Sequence, residues 1–413
     1  MRISTSLFNQ RGLASILDQQ SALLDIQTKI ATGKRISSPS DDPSGSIQII
    51  KLSEAKSVTE QYIRNSDSAL SRLQLEESTI KSVEDTLLRV RELSIQSGNS
   101  ILSNQDRKAI AIELRQHLQG LIGLANSQDA NQDYLFAGNQ VGQRPFSLVA
   151  GGNVAYNGDQ GQRAIQISSG QQISDGDTGM AVFMDISKGN GKFSVQDSPT
   201  NTGAGIIDPG QVFDASAYVA DDYTISFVTN ASGNIGYNVV GAASGQLIPP
   251  LPQDPTLNAP DYVAGTNIRF NGVETKIEAS PAIGDIFTIT PSVKQDIFTT
   301  IDELATALET DAIGSEQGAK VQNQISASIV NLDRAMDKMS EIRSNIGARL
   351  KLVEDRSLTN ESFLFDITTT LSDVQDLDLI SAASELQQRL AALEASQAAF
   401  IRIQGLSLFN YIS

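Results

Sequence analysis

An apolar heptad pattern in the first quarter of the sequence constrains the fold more than any other feature. It runs from Pro43 to about Ser97, and its stripe contains Ala55, Tyr62, Ala69, Leu73, Ile80, Val83, Leu87 and Val90. Three-four spacing places these side chains on one face of an α-helix. A helix of this size is about 75 Å long at about 1.5 Å per residue. It cannot bury such a stripe alone, so a second long helix is needed beside it.

A second long pattern supplies that partner. A helical pattern of apolar residues begins again at Asp296, is weaker near Gly314 and continues to about Phe365. Its apolar face is formed by Val321, Ile325, Ile329, Leu332, Met336, Met339, Ile346 and Leu350. We therefore predict that long helices before and after the middle of the chain pack against each other.

A shorter helix follows the first long one after a break at Gly98 and Asn99. It is predicted from Asn104 to about Asn126, with Ile110, Leu114, Leu118, Leu121 and Ala125 on its apolar face. The single histidine, His117, lies beside that stripe and is interpreted as a partly exposed helical residue, since one histidine cannot form a two-histidine metal site.

The middle of the chain has a different texture. Residues 138–291 are rich in Gly, Asn, Asp, Ser and Thr, and their apolar residues alternate over short runs. Asn157-Gly158 and Asn271-Gly272 have the chemistry of hairpin turns. We predict an inserted antiparallel β domain that contains a proline-rich loop from Leu247 to Pro260.

Both ends of the chain are predicted to be helical arms. The N-terminal arm, Ser4 to Thr32, carries Leu13, Ile16, Leu23 and Ile30 on one stripe together with Gln20 and Gln27, and Leu17 and Leu24 flank it. The C-terminal arm begins at Leu379, and its stripe contains Ala383, Leu386, Leu390, Leu393, Gln397, Phe400 and Gln404. Its last residues have apolar side chains on nearly every face of the helix, so this end is expected to be buried by other protein on all sides.

The arms cannot easily bury themselves. About ten large apolar side chains per arm do not offset the backbone entropy lost when about 35 residues become ordered. We therefore predict that the arms are largely disordered in the monomer and become helical when neighbouring subunits enclose them. We predict as assembly and partner-binding residues Leu13, Ile16, Leu17, Gln20, Leu23, Leu24, Gln27, Ile30, Leu386, Leu390, Leu393, Gln397, Phe400, Ile403, Gln404, Leu406, Leu408 and Phe409.

These patterns predict an α+β fold with long antiparallel helical rods, coiled-coil-like terminal arms and an inserted antiparallel β domain. The predicted divisions are arms at 1–42 with 366–413, a helical rod at 43–140 with 291–365, and the β insert at 141–290.

Composition excludes several classes of function. A net charge of -17 argues against nucleic acid or an anionic membrane as partner, because both require clustered lysine and arginine. The absence of cysteine excludes disulfides and thiolate metal sites. The N-terminus lacks the apolar run of a signal peptide, and no segment reaches the length of a membrane span, so we expect any export to proceed without a cleaved signal.

Catalytic motifs are weak. Ser53 to Lys56 and Ser78 to Lys81 match the S-x-x-K of serine acyl enzymes, but the companion motifs of those enzymes are absent. Asp175-Gly176-Asp177 and Asp221-Asp222 lack the spacing of a calcium loop and are interpreted as solvated turns. We expect neither an enzyme nor a bound cofactor or metal.

Several motifs resemble the bacterial flagellin family. The first is TGKRISSPSDDPSG at Thr32 to Gly45. YLFAGNQ at Tyr134 to Gln140, NIGARLKLVE at Asn345 to Glu354 and DVQDLDLISAASELQQ at Asp373 to Gln388 point the same way. The termini and the insert phrase YNGDQGQRAIQI are similar to the hook-associated branch of the family rather than to its filament subunit.

The resemblance implies a non-enzymatic, extracellular subunit of the bacterial flagellum that joins hook to filament. Its implied partners are further copies of itself in a ring-like homo-oligomer, the first hook-associated protein and flagellin. An export chaperone that binds the C-terminal arm in the cytoplasm, before export through the flagellar type III system, is also implied.

Two other functions are compatible with the sequence. A flagellin that polymerises along the whole filament shares the arms and rods. A secreted surface-binding protein or hydrolase would use the β insert, although the sequence offers it no catalytic constellation.

Overall fold

A computed structural model describes the backbone of residues 5–149 and 152–412, and the side chains of residue 7, residues 10–149 and residues 152–402. Its helices are α1 (Thr5–Thr32), α2 (Pro43–Ser97), α3 (Asn104–Ala125), α4 (Ile297–Glu309), α5 (Gly314–Gln375) and α6 (Leu379–Ile412). The described chain forms two compact units. The arm unit holds the described residues up to Ser66, the segment 167–169 and the residues from Asp355 onward, and the core unit holds 67–166 and 170–354.

The first long helix forms as predicted. Asp42 caps it by accepting hydrogen bonds from the backbone N–H groups of Ser44 and Gly45, and Pro43 occupies its first turn. In the core unit the predicted stripe residues Ala69, Leu73, Ile80, Val83, Leu87 and Val90 are all buried. The heptad pattern therefore located the buried face of α2 in this unit correctly.

The second long helix is longer than predicted. It was expected to end near Phe365, but α5 continues to Gln375. A break comes only at Asp376 to Asp378, where Asp378 accepts hydrogen bonds from the N–H groups of Ile380 and Ser381 and so caps α6. The residues after Phe365 are helix formers of ordinary propensity, so no local signal ends the helix there.

Ion pairs hold α2 and α5 antiparallel in the core unit. Arg91 Nε lies 2.6 Å from Asp333 Oδ1, and Arg343 Nη1 lies 2.7 Å from Glu84 Oε2. Shorter helices pack beside them. Ser103 and Asp106 form a capping box at the start of α3, and the side chain of Asp296 caps α4.

The β domain lies between α3 and α4 in sequence. Its strands are β1 (Phe146–Leu148), β2 (Val154–Tyr156), β3 (Ala164–Ser168), β4 (Gln171–Ser174), β5 (Ile186–Ser187), β6 (Phe193–Asp197), β7 (Ile206–Ile207), β8 (Gln211–Val212), β9 (Tyr223–Thr229), β10 (Ile235–Gly241), β11 (Gly245–Ile248), β12 (Asn267–Phe270), β13 (Val273–Glu278), β14 (Ile286–Pro291) and β15 (Lys294–Gln295).

Two antiparallel sheets form the body of this domain. One has the order β11-β10-β9-β14-β6, and the other has the order β12-β13-β7, with β8 also paired to β13. They share an apolar core of Phe193, Ile207, Tyr223, Ile225, Phe227, Val239, Ile268, Phe270, Val273, Ile277, Phe287 and Ile289. The predicted antiparallel insert is confirmed.

One of the two predicted hairpin turns is correct. Asn271 and Gly272 connect β12 to β13 with φ angles of 40° and 76°, as a two-residue hairpin requires. Asn157-Gly158 was wrong, because it leaves β2 toward β3 and these strands do not pair. The backbone N–H of Asn157 instead donates to the carbonyl of Pro145 at 2.7 Å.

Candidate assembly surface

The candidate assembly surface lies on the arm pair, α1 and α6. The two helices run antiparallel: Gly12 lies against the ring of Phe400 at one end, and Lys34 bridges to Asp376 at the other. A Cβ atom added to Gly12 would lie 2.8 Å from Cδ2 of Phe400. The small residue at position 12 therefore sets how closely the helices approach at this end.

A single seam joins the two arm helices. Its side chains are buried or half-buried and follow three-four spacing, as in a coiled coil. They are Ile16, Gln19, Leu23, Ile26 and Ile30 on α1, and Ala382, Leu386, Arg389, Leu393, Ser396 and Phe400 on α6.

The register of α1 differs from the predicted one. Gln20 and Gln27 were placed on the stripe, but both are exposed, and the seam glutamine is Gln19. Ile26, which the prediction omitted, is the most deeply buried of the described α1 side chains, with 5% of its surface exposed. Two heptad stripes run side by side on this helix, and spacing alone does not show which one faces α6.

The second stripe forms the outer face of the arm pair. On α1 its leucines are largely uncovered, with Leu13 53%, Leu17 54% and Leu24 63% exposed, and Gln20 and Gln27 lie between them. On α6 the outer face holds Ile380 at 83% and Ile401 at 68% exposure, together with the exposed Leu390 and Gln397. Regularly spaced apolar side chains that are left exposed are typical of a surface that packs against a partner, so this face is the candidate.

The predicted assembly residues thus divide into three groups. The seam contains Ile16, Leu23, Ile30, Leu386, Leu393 and Phe400. The outer face contains Leu13, Leu17, Gln20, Leu24, Gln27, Leu390 and Gln397. The side chains of Ile403, Gln404, Leu406, Leu408 and Phe409 lie outside the described residues.

Sequence reasoning missed further exposed apolar residues of the same unit. They are Ile47 and Ile50 near the start of α2, and Leu358, Phe363 and Phe365 on α5. The short apolar run from Phe363 to Phe365 on α5 was the available signal. These exposed residues extend the uncovered apolar surface of this unit beyond the arm pair.

A turn between α1 and α2 fixes the base of the arm pair. Gly33 follows the last residue of α1 and, with a φ of 71°, has the left-handed conformation that ends a helix. The N–H of Arg35 donates to the carbonyl of Gln375 at 2.7 Å, and its guanidinium donates to the carbonyl of Val374 at 2.7 Å. The N–H of Leu377 returns a bond of 2.9 Å to the carbonyl of Gly33. These bonds join the entry of one arm to the entry of the other.

The turn is also held from within. The carboxylate of Asp41 accepts hydrogen bonds from the backbone N–H groups of Ser38 at 2.8 Å and Ser37 at 3.0 Å, and these bonds lower the pKa of Asp41. Ile36 is buried, and a Cβ atom on Gly45 would lie 2.5 Å from its Cδ1 atom. The polar motif Thr32–Gly45 is therefore an ordered turn and is not a flexible linker.

Two acidic motifs were wrongly interpreted as solvated turns. Asp175 is buried and paired with Arg72 and Arg163, and Asp177 is paired with Arg349. The side chain of Ser244 and the N–H groups of Ser244 and Ala243 donate hydrogen bonds to Asp221, and these bonds lower the pKa of Asp221 to about 2. Among the described residues, no group of three His, Cys, Asp or Glu side chains could hold a metal ion. Nor does any helix in that part of the chain have the length and apolarity to cross a bilayer.

The N-terminal part of the chain matches a known family. A family model described as the bacterial flagellin N-terminal helical region matches residues 3–141. Flagellar hook-associated protein 3 from Salmonella typhimurium is 33% identical over 186 residues, which are 45% of this chain and 58% of that protein. The match to that relative thus spans less than two thirds of its length.

Solved structures match over more of the chain. The flagellar junction protein FlgL from Legionella pneumophila is 34% identical, with a TM-score of 0.72 over 80% of this chain and 100% of that one. FlgL from Xanthomonas campestris is 33% identical, with a TM-score of 0.70 over 78% of this chain and 99% of that one. The resemblance seen in the helical motifs is confirmed, and the similarity extends well beyond them.

Proposed function

This chain belongs to the family of flagellar hook-associated protein 3 (FlgL), and we propose that it is a structural subunit of the junction between flagellar hook and filament. The arm pair provides the main support for this proposal. It has two apolar stripes and covers only one of them, so its outer face is available to other subunits.

The outer face has the pattern that neighbouring helices can use. Leu17, Gln20, Leu24 and Gln27 repeat at heptad spacing, which suits knobs-into-holes packing against another helix. Each large apolar side chain that becomes buried stabilises the assembly by about 1.5–3 kcal/mol. The interspersed glutamines fix the register only when their amides find partners, because a buried amide without a partner costs about 1–3 kcal/mol.

A subunit at the junction between hook and filament contacts components of both. Copies of this chain pack side by side in a ring, with the first hook-associated protein on one side and flagellin on the other. Seam and outer-face residues of the arms make these contacts. The protein acts as a binding and packing element and catalyses no reaction. It resides in the flagellum outside the cell, and a chaperone covers the C-terminal arm before export.

The arms are proposed to become ordered on assembly. In the arm pair only Ile26 and Ala382 are fully buried among the described side chains, so self-burial contributes little against the entropy of ordering. Limited proteolysis of the monomer tests this proposal. Cleavage should occur first within α1 and α6, and arms as resistant as the core unit would contradict it.

Deletion of the gene tests the function itself. Cells without the protein should build intact hooks, lack filaments and release flagellin monomers into the medium. Retention of full filaments would overturn the proposal.

Location separates a junction subunit from a flagellin. Immunogold labelling confined to one short band beyond the hook supports the junction. Labelling along the whole filament would identify a filament subunit, which shares the flagellin-type helical region.

A further inference from the structure

A buried cluster of charged side chains lies within the core unit. Its members come from five separate segments: Arg72 and Glu76 from α2, Asp129 from the loop after α3, Arg163 from the segment before β3, Asp175 and Asp177 from the turn after β4, and Arg349 from α5. We call this group the Glu76 cluster.

Six of its seven charges are matched. Arg72 Nη1 lies 2.8 Å from Asp129 Oδ2. Arg163 pairs with Asp175, and Arg349 pairs with Asp177. Three guanidinium groups thus face three aspartates. The partly exposed Asp133, 3.9 Å from Arg163, adds a further negative charge at the rim. Among the described residues, each guanidinium of the cluster is already paired with an aspartate, so an ionised Glu76 would add an unmatched negative charge.

Glu76 is placed as a group without a charge partner. Only 1% of its surface is exposed, and its Oε1 atom accepts a hydrogen bond of 2.9 Å from the backbone N–H of Asp177. Its Oε2 atom is buried and has no hydrogen-bond partner among the described residues, and the same holds for Nε of Arg72. Burying a carboxylate in this state is costly, whereas a neutral carboxyl group costs far less.

Gly176 lies close to both of these atoms, neither of which makes a hydrogen bond to a described residue. A Cβ atom at this position would lie 3.7 Å from Arg72 Nε and 3.8 Å from Glu76 Oε2. A cavity of about 10 Å³ adjoins it, lined by Arg72, Asp175, Gly176 and Asp177 among others. This volume approaches that of one water molecule, which could bridge polar atoms at the site.

We propose that Glu76 is a proton-binding site: its carboxyl group is neutral in the folded protein at neutral pH, and its ionisation loosens the 175–177 turn from α2. The turn is attached to α2 through the bond from Asp177 N–H to Glu76 and through the pair between Asp175 and Arg72. A new negative charge at Glu76 repels both aspartates of the turn and draws water into the cluster.

The electrostatics of the site agree with this placement. Burial raises the pKa of Glu76 to about 8, and the negative charge of Asp177 raises it too, while Arg349, the N–H of Asp177 and Arg72 act in the opposite direction. The ordinary value is 4.5. Between these two values the folded cluster holds a proton that an opened cluster releases. The folded Glu76 cluster is therefore most stable relative to the opened one below about pH 4.5. The equilibrium constant for its opening rises as pH increases toward about 8, by up to about tenfold per pH unit.

Hydrogen exchange of the full-length protein tests the proposal. Exchange of peptides that contain Asp177 is measured from pH 5.5 to 8.5 and corrected for the intrinsic pH dependence of exchange. In the wild type the equilibrium constant for opening of the 175–177 turn, called here the opening constant, should rise more than about tenfold over this range. In Glu76→Gln, which keeps an acceptor for the Asp177 N–H but cannot ionise, it should change less than about twofold. The control Glu54→Gln alters an exposed glutamate of the same helix and should follow the wild type.

Infrared spectroscopy of the wild type gives a readout that does not depend on a variant. A protonated-carboxyl band should be present at pH 6.5 and should decline with a midpoint near pH 8. Absence of that band overturns the proposal, and so does a Glu76→Gln variant whose opening constant rises with pH as steeply as that of the wild type.

Discussion

The arm pair and the core unit have the same three-four spacing of apolar residues, but they differ in how much of the apolar surface is buried. On α2 within the core unit, the stripe from Leu73 to Val90 is wholly buried. On α1 one stripe is half-buried against α6, and a second stripe of Leu13, Leu17 and Leu24 stays exposed. A helix with one apolar stripe is satisfied by its own chain, whereas a helix with two stripes needs additional neighbours. The described stripe of α2 in the core unit is therefore buried by its own chain, whereas the outer stripe of α1 is not.

The largest expected effect separates assembly from folding. The double variant Leu17→Asp, Leu24→Asp places two charges on the outer face, where packing against another subunit would bury them without partners. We expect complete loss of filaments and motility, with flagellin released into the medium, when the variant replaces the native gene. The purified monomer should keep the unfolding transition of the core unit.

The matched control for this variant is Leu257→Asp in the β insert, a leucine that is also exposed. It should swim normally. Filaments on cells that express the double arm variant would show that the outer face makes no essential contact.

A matched pair of leucine truncations sharpens the comparison within the monomer. Leu87→Ala removes a fully buried side chain of the core unit and should lower its free energy of unfolding by about 2–5 kcal/mol. Leu24→Ala removes a mostly exposed side chain of the arm and should change the free energy of unfolding by less than about 0.5 kcal/mol. Urea unfolding followed by circular dichroism gives both values, and equal losses would remove the distinction between the two regions.

The turn at the base of the arms should show an intermediate effect. Asp42→Ala removes the side-chain acceptor for the N–H groups of Ser44 and Gly45, and loss of such a cap costs about 0.5–2 kcal/mol. Hydrogen exchange at the start of α2 should rise accordingly. Asp42→Asn keeps the acceptor and should restore most of the protection, whereas equal exchange in both variants would argue against capping by this side chain.

The smallest effect is expected on the exposed face of α1. Lys29 Nζ lies 2.7 Å from Asp25 Oδ2, one helical turn away, where Asp25 is exposed and Lys29 is partly buried. Lys29→Ala should cost the monomer no more than about 0.5 kcal/mol, and this difference should shrink further in high salt. A larger loss of arm helicity by circular dichroism would mean that surface charge contributes more to the arms than apolar packing does.

Much of this molecule could be predicted because its signals are local and repeated. The stripe of α2, the caps at Asp42 and Asp296, the Gly33 helix end and the Asn271-Gly272 hairpin all depend on residues within a few positions of one another. The failures depend on distant partners. Asp175 and Asp177 have turn chemistry in sequence, yet arginines from α2, α5 and the segment before β3 enclose them.

The arm site was predictable in composition but not in register. The sequence identified the arms and most of their apolar residues, and it indicated that something must cover them. It could not distinguish the seam from the outer face, since Gln19 and Gln20 differ by only one position on a helix with two adjacent stripes. The choice depends on where α6 packs.

The sequence by itself determined the long helices, the β insert and the flagellin-type character of the N-terminal helical region, because periodicity, turn chemistry and motifs are carried by neighbouring residues. Only the tertiary structure decided which leucines of the arms stay uncovered, how far α5 extends, and that Glu76 lies among paired charges without a cation of its own. These features depend on burial and on charge balance between segments far apart in the chain, and no local pattern encodes them.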